Sequence, residues 1–155
     1  GLARESPALI WIPRSRSSAD LPSLGSHETA HQWWYSTVGN DQSTSAFADE
    51  ALADYFSRTA HLSIRSSRCP TDRLDREIRA YSDVCYFEVI YIQGARFLDK
   101  MRRDHGNKKF MAAIRAYTRS NRHDISNNAR LLEAFRAEMG DGLLKRFGSR
   151  FPSIY

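Results

Sequence analysis

The spacing of apolar and polar residues predicts a mainly helical chain that begins with one short strand. Residues 7–12 are a short run of mostly large apolar side chains that stops at Pro13, which is typical of a strand. From residue 27 onward, the pattern favours helices separated by polar or glycine-containing connections. The predicted helices cover residues 27–38, 47–62, 72–82, 86–103, 108–119 and 127–139.

The first predicted helix takes its boundaries from capping and turn residues. Ser26 is the predicted N-cap, after a polar loop at residues 14–23. The turn residues at 39–41 then end the helix.

The length of the chain limits the number of domains. Its 155 residues, 41% of them hydrophobic, suffice for one sizeable core but not for two ordinary domains, so residues 1–155 are expected to form a single unit. The sequence starts without Met and an apolar run follows almost at once, so we expect a piece of a longer protein. No stretch reaches the roughly 18 apolar residues that are needed to span a bilayer.

The charged residues and the cysteines restrict the function only weakly. The formal net charge of +5 is compatible with nucleic-acid binding. Acidic residues are interleaved with the arginines, however, as on a solvated helix face, and we predict no nucleic-acid partner. Cys69 and Cys85 are too few for a disulfide scaffold, and the sequence leaves open whether they pair.

The pentapeptide His27-Glu28-Thr29-Ala30-His31 predicts a metal site. Residues four apart lie on one face of a helix, so both imidazoles can reach one metal ion. Glu28 lies about 100° round the helix, too far to join them as a ligand but close enough to act on a metal-bound water. The motif therefore predicts a metal ion with a general base beside it.

Glu50 is the predicted third ligand. A catalytic zinc takes three protein ligands and keeps a further position open. Eighteen residues lie between His31 and Glu50, which is the spacing of gluzincins, and two antiparallel helices would bring Glu50 to the histidines. We predict one Zn²⁺ ion held by His27, His31 and Glu50, with an inherited but inactive metal site as the alternative. Asp54 lies on the same helical face as Glu50. It either orients a ligand histidine or, as its residue type favours, is a surface carboxylate.

The sequence around the motif resembles that of the alanyl aminopeptidase family of gluzincins, and its bacterial members most closely. The resemblance is carried by H-E-T-A-H-Q-W at 27–33, V-G-N-D-Q at 38–42 and D-E-A-L-A-D-Y at 49–55. It implies a thermolysin-like zincin catalytic domain, of which this chain is the helical C-terminal part. N-terminal domains of the same parent chain would then pack against it. The sequence does not determine the cellular compartment. The expectation is that the parent protein lies in a bacterial cell envelope or is secreted.

Two further site residues follow from the resemblance. Y-I-Q-G-A at 91–95 is similar to a family segment whose Tyr donates a hydrogen bond to the tetrahedral intermediate, which implies this role for Tyr91. By pattern alone, Tyr91 would be a core aromatic. Residues 2–7 occupy the place of the family's exopeptidase segment, although several positions differ from it. This implies that Glu5 binds the free amino terminus of the substrate, with a solvated surface carboxylate as the alternative.

These residues together predict a zinc aminopeptidase that acts on peptides. Glu28 would take a proton from the zinc-activated water as that water attacks the peptide carbonyl, and would return the proton to the leaving amine. The alternative is a catalytically impaired, peptidase-like module that binds peptide or protein partners.

Overall fold

The computed structural model describes residues 3–14, 17–57 and 69–155 of the protein. Of the described residues, 65% are helical and 7% lie in strands, with a short strand pair near the N-terminus, which confirms the predicted mainly helical class. The helices are α1 (Leu21–Trp34), α2 (Gln42–Ser45), α3 (Leu52–Ser57), α4 (Asp83–Tyr86), α5 (Gly94–His105), α6 (Asn107–Ser120), α7 (Asn128–Met139) and α8 (Leu144–Arg150). The strands are β1 (Arg4–Ser6), β2 (Leu9–Trp11), β3 (Gly39–Asn40) and β4 (Ile125–Ser126). Within the described ranges, no helix has both the length and the apolarity that crossing a membrane requires.

The N-terminal residues form a hairpin, in which the strand predicted at 7–12 corresponds to β2 and β1 is a second strand that the sequence did not predict. β1 and β2 pair antiparallel, and the chain reverses at Pro7 and Ala8. Proline fixes its own φ, and Ala8 has a φ of 61°, which is the combination that a tight turn needs. Gln32 attaches the hairpin to α1, because its side chain accepts from the Ala8 N–H at 2.8 Å and donates to a β1 carbonyl at 3.1 Å. The position of Glu5 on β1 is thereby fixed relative to α1.

α1 starts six residues earlier than predicted and ends at Trp34. Pro22 lies in its first turn, where the missing N–H of proline needs no partner. Ser26, the predicted N-cap, lies inside the helix, and its hydroxyl donates to the Ser23 carbonyl at 3.0 Å. Part of the loop predicted at 14–23 is therefore helical, and the motif at 27–31 lies in the middle of α1.

Within the described residues, two stretches of π-helix interrupt the helical segments that follow α1. One, Phe47–Ala51, joins α2 to α3, and the other, Phe87–Gln93, joins α4 to α5. Such stretches are rare and occur frequently at functional sites. The first contains Glu50 and the second contains Tyr91.

The remaining predicted helices differ in accuracy. Those at 108–119 and 127–139 correspond to α6 and α7 within one residue at each end. The helix predicted at 86–103 begins with α4, three residues earlier, and continues to the end of α5. The helix predicted at 47–62 is preceded by α2, and its residues 58–62 lie outside the described residues.

The helix predicted at 72–82 is wrong. This segment contains only a single turn of 3₁₀-helix, Ile78–Ala80. Its polar groups are bonded to the C-terminal end of the chain, because the Leu74 N–H donates to the Arg150 carbonyl at 2.8 Å and the Asp75 carboxylate accepts a backbone N–H at 2.5 Å. These long-range bonds tie the segment to the C-terminal end of the chain in a non-helical conformation.

One cluster of buried side chains runs from α1 to the C-terminal residues. α1 packs on α3, α3 on α5, and α6 on α7. Phe47 makes edge-to-face contacts with Phe97 and Phe151 at the centre of the cluster. A disulfide between Cys69 and Cys85 joins the segment that precedes residue 72 to α4, which answers the question that the sequence left open.

Replacement of Gly94 by alanine is expected to destabilise the protein. The added Cβ would lie 2.7 Å from the Cβ of Ala51, and neither group has a flexible end that could move aside. Overpacking of a core costs about 1–3 kcal/mol, which urea denaturation would measure as a loss in the free energy of unfolding. Gly142→Ala is the control, because a Cβ there meets nothing within 4 Å. Equal stabilities of Gly94→Ala and the unmodified protein would contradict the close contact.

Candidate metal centre

α1 holds the two histidines of the motif side by side in the protein interior. His27 and His31 are buried, and their Nε2 atoms lie 3.1 Å apart. Their rings meet edge to face, with centroids 4.7 Å apart. The four-residue spacing puts both imidazoles on one face of the helix, as the sequence predicts.

The π-helical stretch brings two consecutive carboxylates to His31. Glu50 Oε2 lies 3.3 Å from His31 Nε2 and 3.2 Å from His27 Nε2. Asp49 Oδ1 accepts from the Nδ1–H of the same His31 ring at 2.7 Å. A π-helix closes its turn over more residues than an α-helix, so neighbouring side chains point in more similar directions. This allows adjacent residues to contact opposite nitrogens of one imidazole.

The three candidate ligand atoms form a nearly equilateral triangle with sides of 3.1, 3.2 and 3.3 Å. A tetrahedral zinc ion with bonds of about 2.0–2.1 Å separates its ligand atoms by roughly 3.3 Å. In neutral His31 the bond to Asp49 keeps the proton on Nδ1, which leaves the Nε2 lone pair available for a metal. The donor set of His27, His31 and Glu50 therefore fits zinc in both chemistry and spacing.

Buried negative charge exceeds buried positive charge at this centre. The two imidazoles are accompanied by four buried carboxylates, those of Glu28, Asp49, Glu50 and Asp54. Buried charges are unfavourable unless other charges or hydrogen bonds compensate them. A divalent cation would compensate this excess.

The carboxylates also change the protonation of the ligands. Burial alone would lower the pKa of His31, but Asp49 and Glu50 outweigh it and raise that pKa to about 11. Burial likewise would raise the pKa of Glu50, but hydrogen bonds to the two imidazoles lower it to about 2. In the absence of a metal, a protonated His31 thus pairs with Glu50. A metal ion would replace that proton, because ligands bind in their deprotonated forms.

Glu28 has a buried carboxylate oxygen that lacks a hydrogen-bond partner among the described residues. Burial raises the pKa of Glu28, the imidazoles oppose this, and the negative charges of Glu5 and Glu50 add to it. A buried polar atom of this kind is unfavourable unless water or a ligand satisfies it. Glu28 is close enough to His27, His31 and Glu50 for their charges to interact, so a water held by a metal at this centre could satisfy the oxygen.

Asp54 is not the surface carboxylate that its residue type favoured. It is buried, and its Oδ1 lies 3.8 Å from His27 Nδ1. Asp49 and Asp54 thus stand behind His31 and His27, each facing the nitrogen opposite to the ligand atom. A carboxylate that is hydrogen-bonded to the outer nitrogen orients a metal-bound histidine. Asp49 is at hydrogen-bond distance from His31, whereas Asp54 is beyond it and acts on His27 through its charge.

Glu5 is connected to the centre through Gln42. The Gln42 Nε2 donates to Glu5 Oε1 at 2.8 Å and to Asp49 Oδ2 at 2.7 Å. Oxygen atoms of Glu5 and Asp49 and a nitrogen of His31 lie within 4.8 Å of one another. Glu5 is half-buried, so it is not the fully solvated surface carboxylate that was the alternative to an amine-binding role.

Tyr91 packs on the other side of the centre. Its ring stacks on His27, with centroids 5.5 Å apart and an angle of 21° between the planes. Burial raises the pKa of the Tyr91 hydroxyl, and the negative charge of Glu50 raises it further. The hydroxyl therefore keeps its proton and can donate a hydrogen bond. The half-buried ring also contacts the core, so the two predicted roles of Tyr91 are compatible.

Asp49 and Gln42 are the residues of the centre to which the sequence assigns no role. Both lie in segments that carry the family resemblance. A carboxylate directly before the predicted third ligand is a signal for Asp49, because such neighbours can orient a ligand histidine. Gln42 gives no comparable signal, since its contacts depend on the hairpin and on the π-helical stretch.

Comparisons with family models, with curated proteins and with solved structures find no match to this chain. The functional argument therefore depends on the motif and on the distances and burial of the residues at the centre.

Asp49→Ala is expected to weaken zinc binding by about 10- to 100-fold, because His31 loses the acceptor that fixes its tautomer. The affinity is measured on the full-length protein by competition with a chelator of known affinity. Asp141→Ala is the control, since Asp141 is exposed and pairs with Arg136. Wild-type zinc affinity in Asp49→Ala would show that this carboxylate does not support a metal ligand.

Proposed function

We propose that the protein is a zinc-dependent metallopeptidase of the gluzincin type, an aminopeptidase that removes N-terminal residues from peptides. One observation carries the proposal: His27, His31 and Glu50 converge, and Glu28, whose charge interacts with all three, has a buried oxygen without a hydrogen-bond partner among the described residues. In this proposal the chain is the helical part of a thermolysin-like catalytic domain, and one zinc ion is its cofactor.

Glu28 is the proposed general base. When bound, zinc supplies Lewis-acid chemistry, because it polarises a carbonyl and makes a water more acidic. Glu28 accepts the proton of the attacking water and returns it to the leaving amine. Its burial supports this role, since the raised pKa brings the carboxylate closer to the pH at which it must both take up and release a proton.

Tyr91 is the proposed donor to the oxyanion. Its protonated hydroxyl lies near Glu50, and the stacking on His27 restricts the ring. A donor that is already in place where negative charge develops contributes strongly to catalysis, because it does not have to reorganise during the reaction.

Glu5 is the proposed binding group for the free amino terminus. Its half-buried carboxylate lies near the centre on the side of the hairpin, connected to it by Gln42. A charge-assisted bond between this carboxylate and an ammonium group would place the first peptide bond at the metal. Cleavage would then be limited to the first residue.

One observation favours a second candidate, a peptidase-like module that binds peptide or protein partners without turnover. The ligand residues already contact one another, since Glu50 pairs with both His27 and His31. A centre of this kind is satisfied without a metal when His31 is protonated. Wild-type protein that binds no zinc and hydrolyses no aminoacyl substrate would favour this candidate.

Glu28→Gln is expected to retain zinc and to lose turnover. The amide occupies the same space but cannot accept the proton, so kcat should fall by about 10²- to 10⁴-fold. Zinc content and kcat are measured on the full-length protein with an aminoacyl reporter substrate. Glu138→Gln, which removes one exposed carboxylate on α7, is the control for the change in charge. Unchanged kcat/KM in Glu28→Gln would refute the assignment of the base.

Glu5→Ala is expected to affect only substrates that have a free amino terminus. Loss of the ammonium partner should lower kcat/KM for them by about 10- to 100-fold, whereas substrates with a blocked amino terminus should change little. Arg4→Ala is the control, because this neighbour on β1 is exposed. Equal losses on both substrate types would show that Glu5 supports the structure and does not bind the amine.

A further inference from the structure

Gln42 lies between the proposed amine-binding group and the residue that orients a metal ligand. We infer that Gln42 is a positioning residue that holds the Glu5 carboxylate at a fixed distance from the metal. It would thereby determine how strongly the centre prefers a ligand with a free amino group over one without it. This inference rests on the proposed function, because it gives Glu5 the role of binding the amine.

The side-chain amide of Gln42 has a single orientation that suits its surroundings. Its Nε2 contacts Glu5 Oε1 at 2.8 Å and Asp49 Oδ2 at 2.7 Å. An amide nitrogen carries two hydrogens, so it can donate to both carboxylates at once. The flipped amide would set its oxygen against two carboxylate oxygens, which excludes that orientation. The nitrogen therefore joins two groups that would otherwise repel each other.

These bonds form a continuous chain from the hairpin to the metal centre. Asp49 uses one oxygen for Gln42 and the other for the Nδ1–H of His31 at 2.7 Å. The order Glu5, Gln42, Asp49, His31 thus passes from β1 through α2 and the π-helical stretch to α1. A displacement of Gln42 would act on Glu5 directly and on His31 through Asp49.

The backbone of Gln42 is held on both sides. Asp41 caps α2, because its side chain accepts from the Ser43 N–H at 3.0 Å and from the Thr44 hydroxyl at 2.9 Å. Immediately before it, β3 pairs in parallel with β4, which lies between α6 and α7. Gln42 is consequently a fixed point from which its side chain can hold Glu5.

Glu5 needs such support. It lies on a strand of three residues. Among the described residues, the Gln42 amide donates a hydrogen bond to its carboxylate. Without this bond the carboxylate would turn away from Asp49, because like charges repel. The ammonium group of a substrate would then meet a carboxylate at a variable distance from the metal.

Gln42→Leu tests the inference, because leucine has a similar size but donates no hydrogen bond. The probes are a pair of zinc-directed hydroxamate inhibitors, one with a free amino group and one in which that group is replaced by hydrogen. In the full-length wild type the amino compound should bind more tightly. In Gln42→Leu this preference should shrink by about tenfold, while the inhibition constant of the compound without the amine should stay within about threefold of its wild-type value.

A second variant and a control complete the experiment. Gln42→Asn keeps an amide but shortens its reach by one methylene, so it should lose part of the preference even if Gln42→Leu does not fold. Gln93→Leu removes another half-buried glutamine, which accepts from Arg150 at 3.1 Å, and should keep the full preference. Chelator competition should show that zinc affinity falls less in Gln42→Leu than in Asp49→Ala, since His31 keeps its acceptor.

The outcomes separate this inference from the proposed function. An unchanged preference for the amino compound in both Gln42 variants would overturn the positioning role. Equal weakening of both inhibitors would also overturn it, because that result indicates a purely structural residue. A wild-type protein that binds no zinc, or that does not distinguish the two inhibitors, would overturn the proposed function itself.

Discussion

The contact of the Glu50 carboxylate with the two imidazoles of α1 is the interaction on which the other features of the centre depend. It requires the π-helical stretch to lie in register with α1, because ligand atoms from two helices meet only when the correct faces are turned together. The packing of the core sets this register. Gly94, the first residue of α5, lies directly against Ala51, the residue that follows Glu50. A larger residue at this contact would displace the segment that carries the carboxylate.

Electrostatics explains the composition of the surrounding shell. Carboxylates are rarely buried without a compensating charge, yet this centre contains more of them than its imidazoles can neutralise. Asp49 lies behind His31 and Asp54 lies behind His27, and Glu28 is close enough to the three candidate ligands for their charges to interact. A cation among them would compensate this excess of negative charge. The raised pKa of His31 reflects the same negative field, which binds a proton when no metal is present.

The sequence predicts the helical class and the pairing of His27 with His31, because both depend on short-range periodicity. The approach of Glu50 was predicted from the spacing of the motif, and core packing achieves it by setting the π-helical stretch in register with α1. Features that depend on long-range contacts were wrong or were missed. The hairpin at Pro7 needs α1 to anchor it, and the segment around Leu74 bonds to the C-terminus in place of forming a helix. The roles of Asp49 and Gln42 depend on a π-helical turn, which differs from an α-helix by a small change in the backbone that apolar periodicity does not reveal.

The central claim is that His27, His31 and Glu50 bind one zinc ion. A crystal structure of the full-length protein with zinc, measured on both sides of the zinc absorption edge, tests it most directly. The account predicts one anomalous peak at about 2.0–2.2 Å from the Nε2 atoms of both histidines and from a Glu50 oxygen. Absence of a peak at this position at saturating zinc, or a peak bound by other residues, would contradict it.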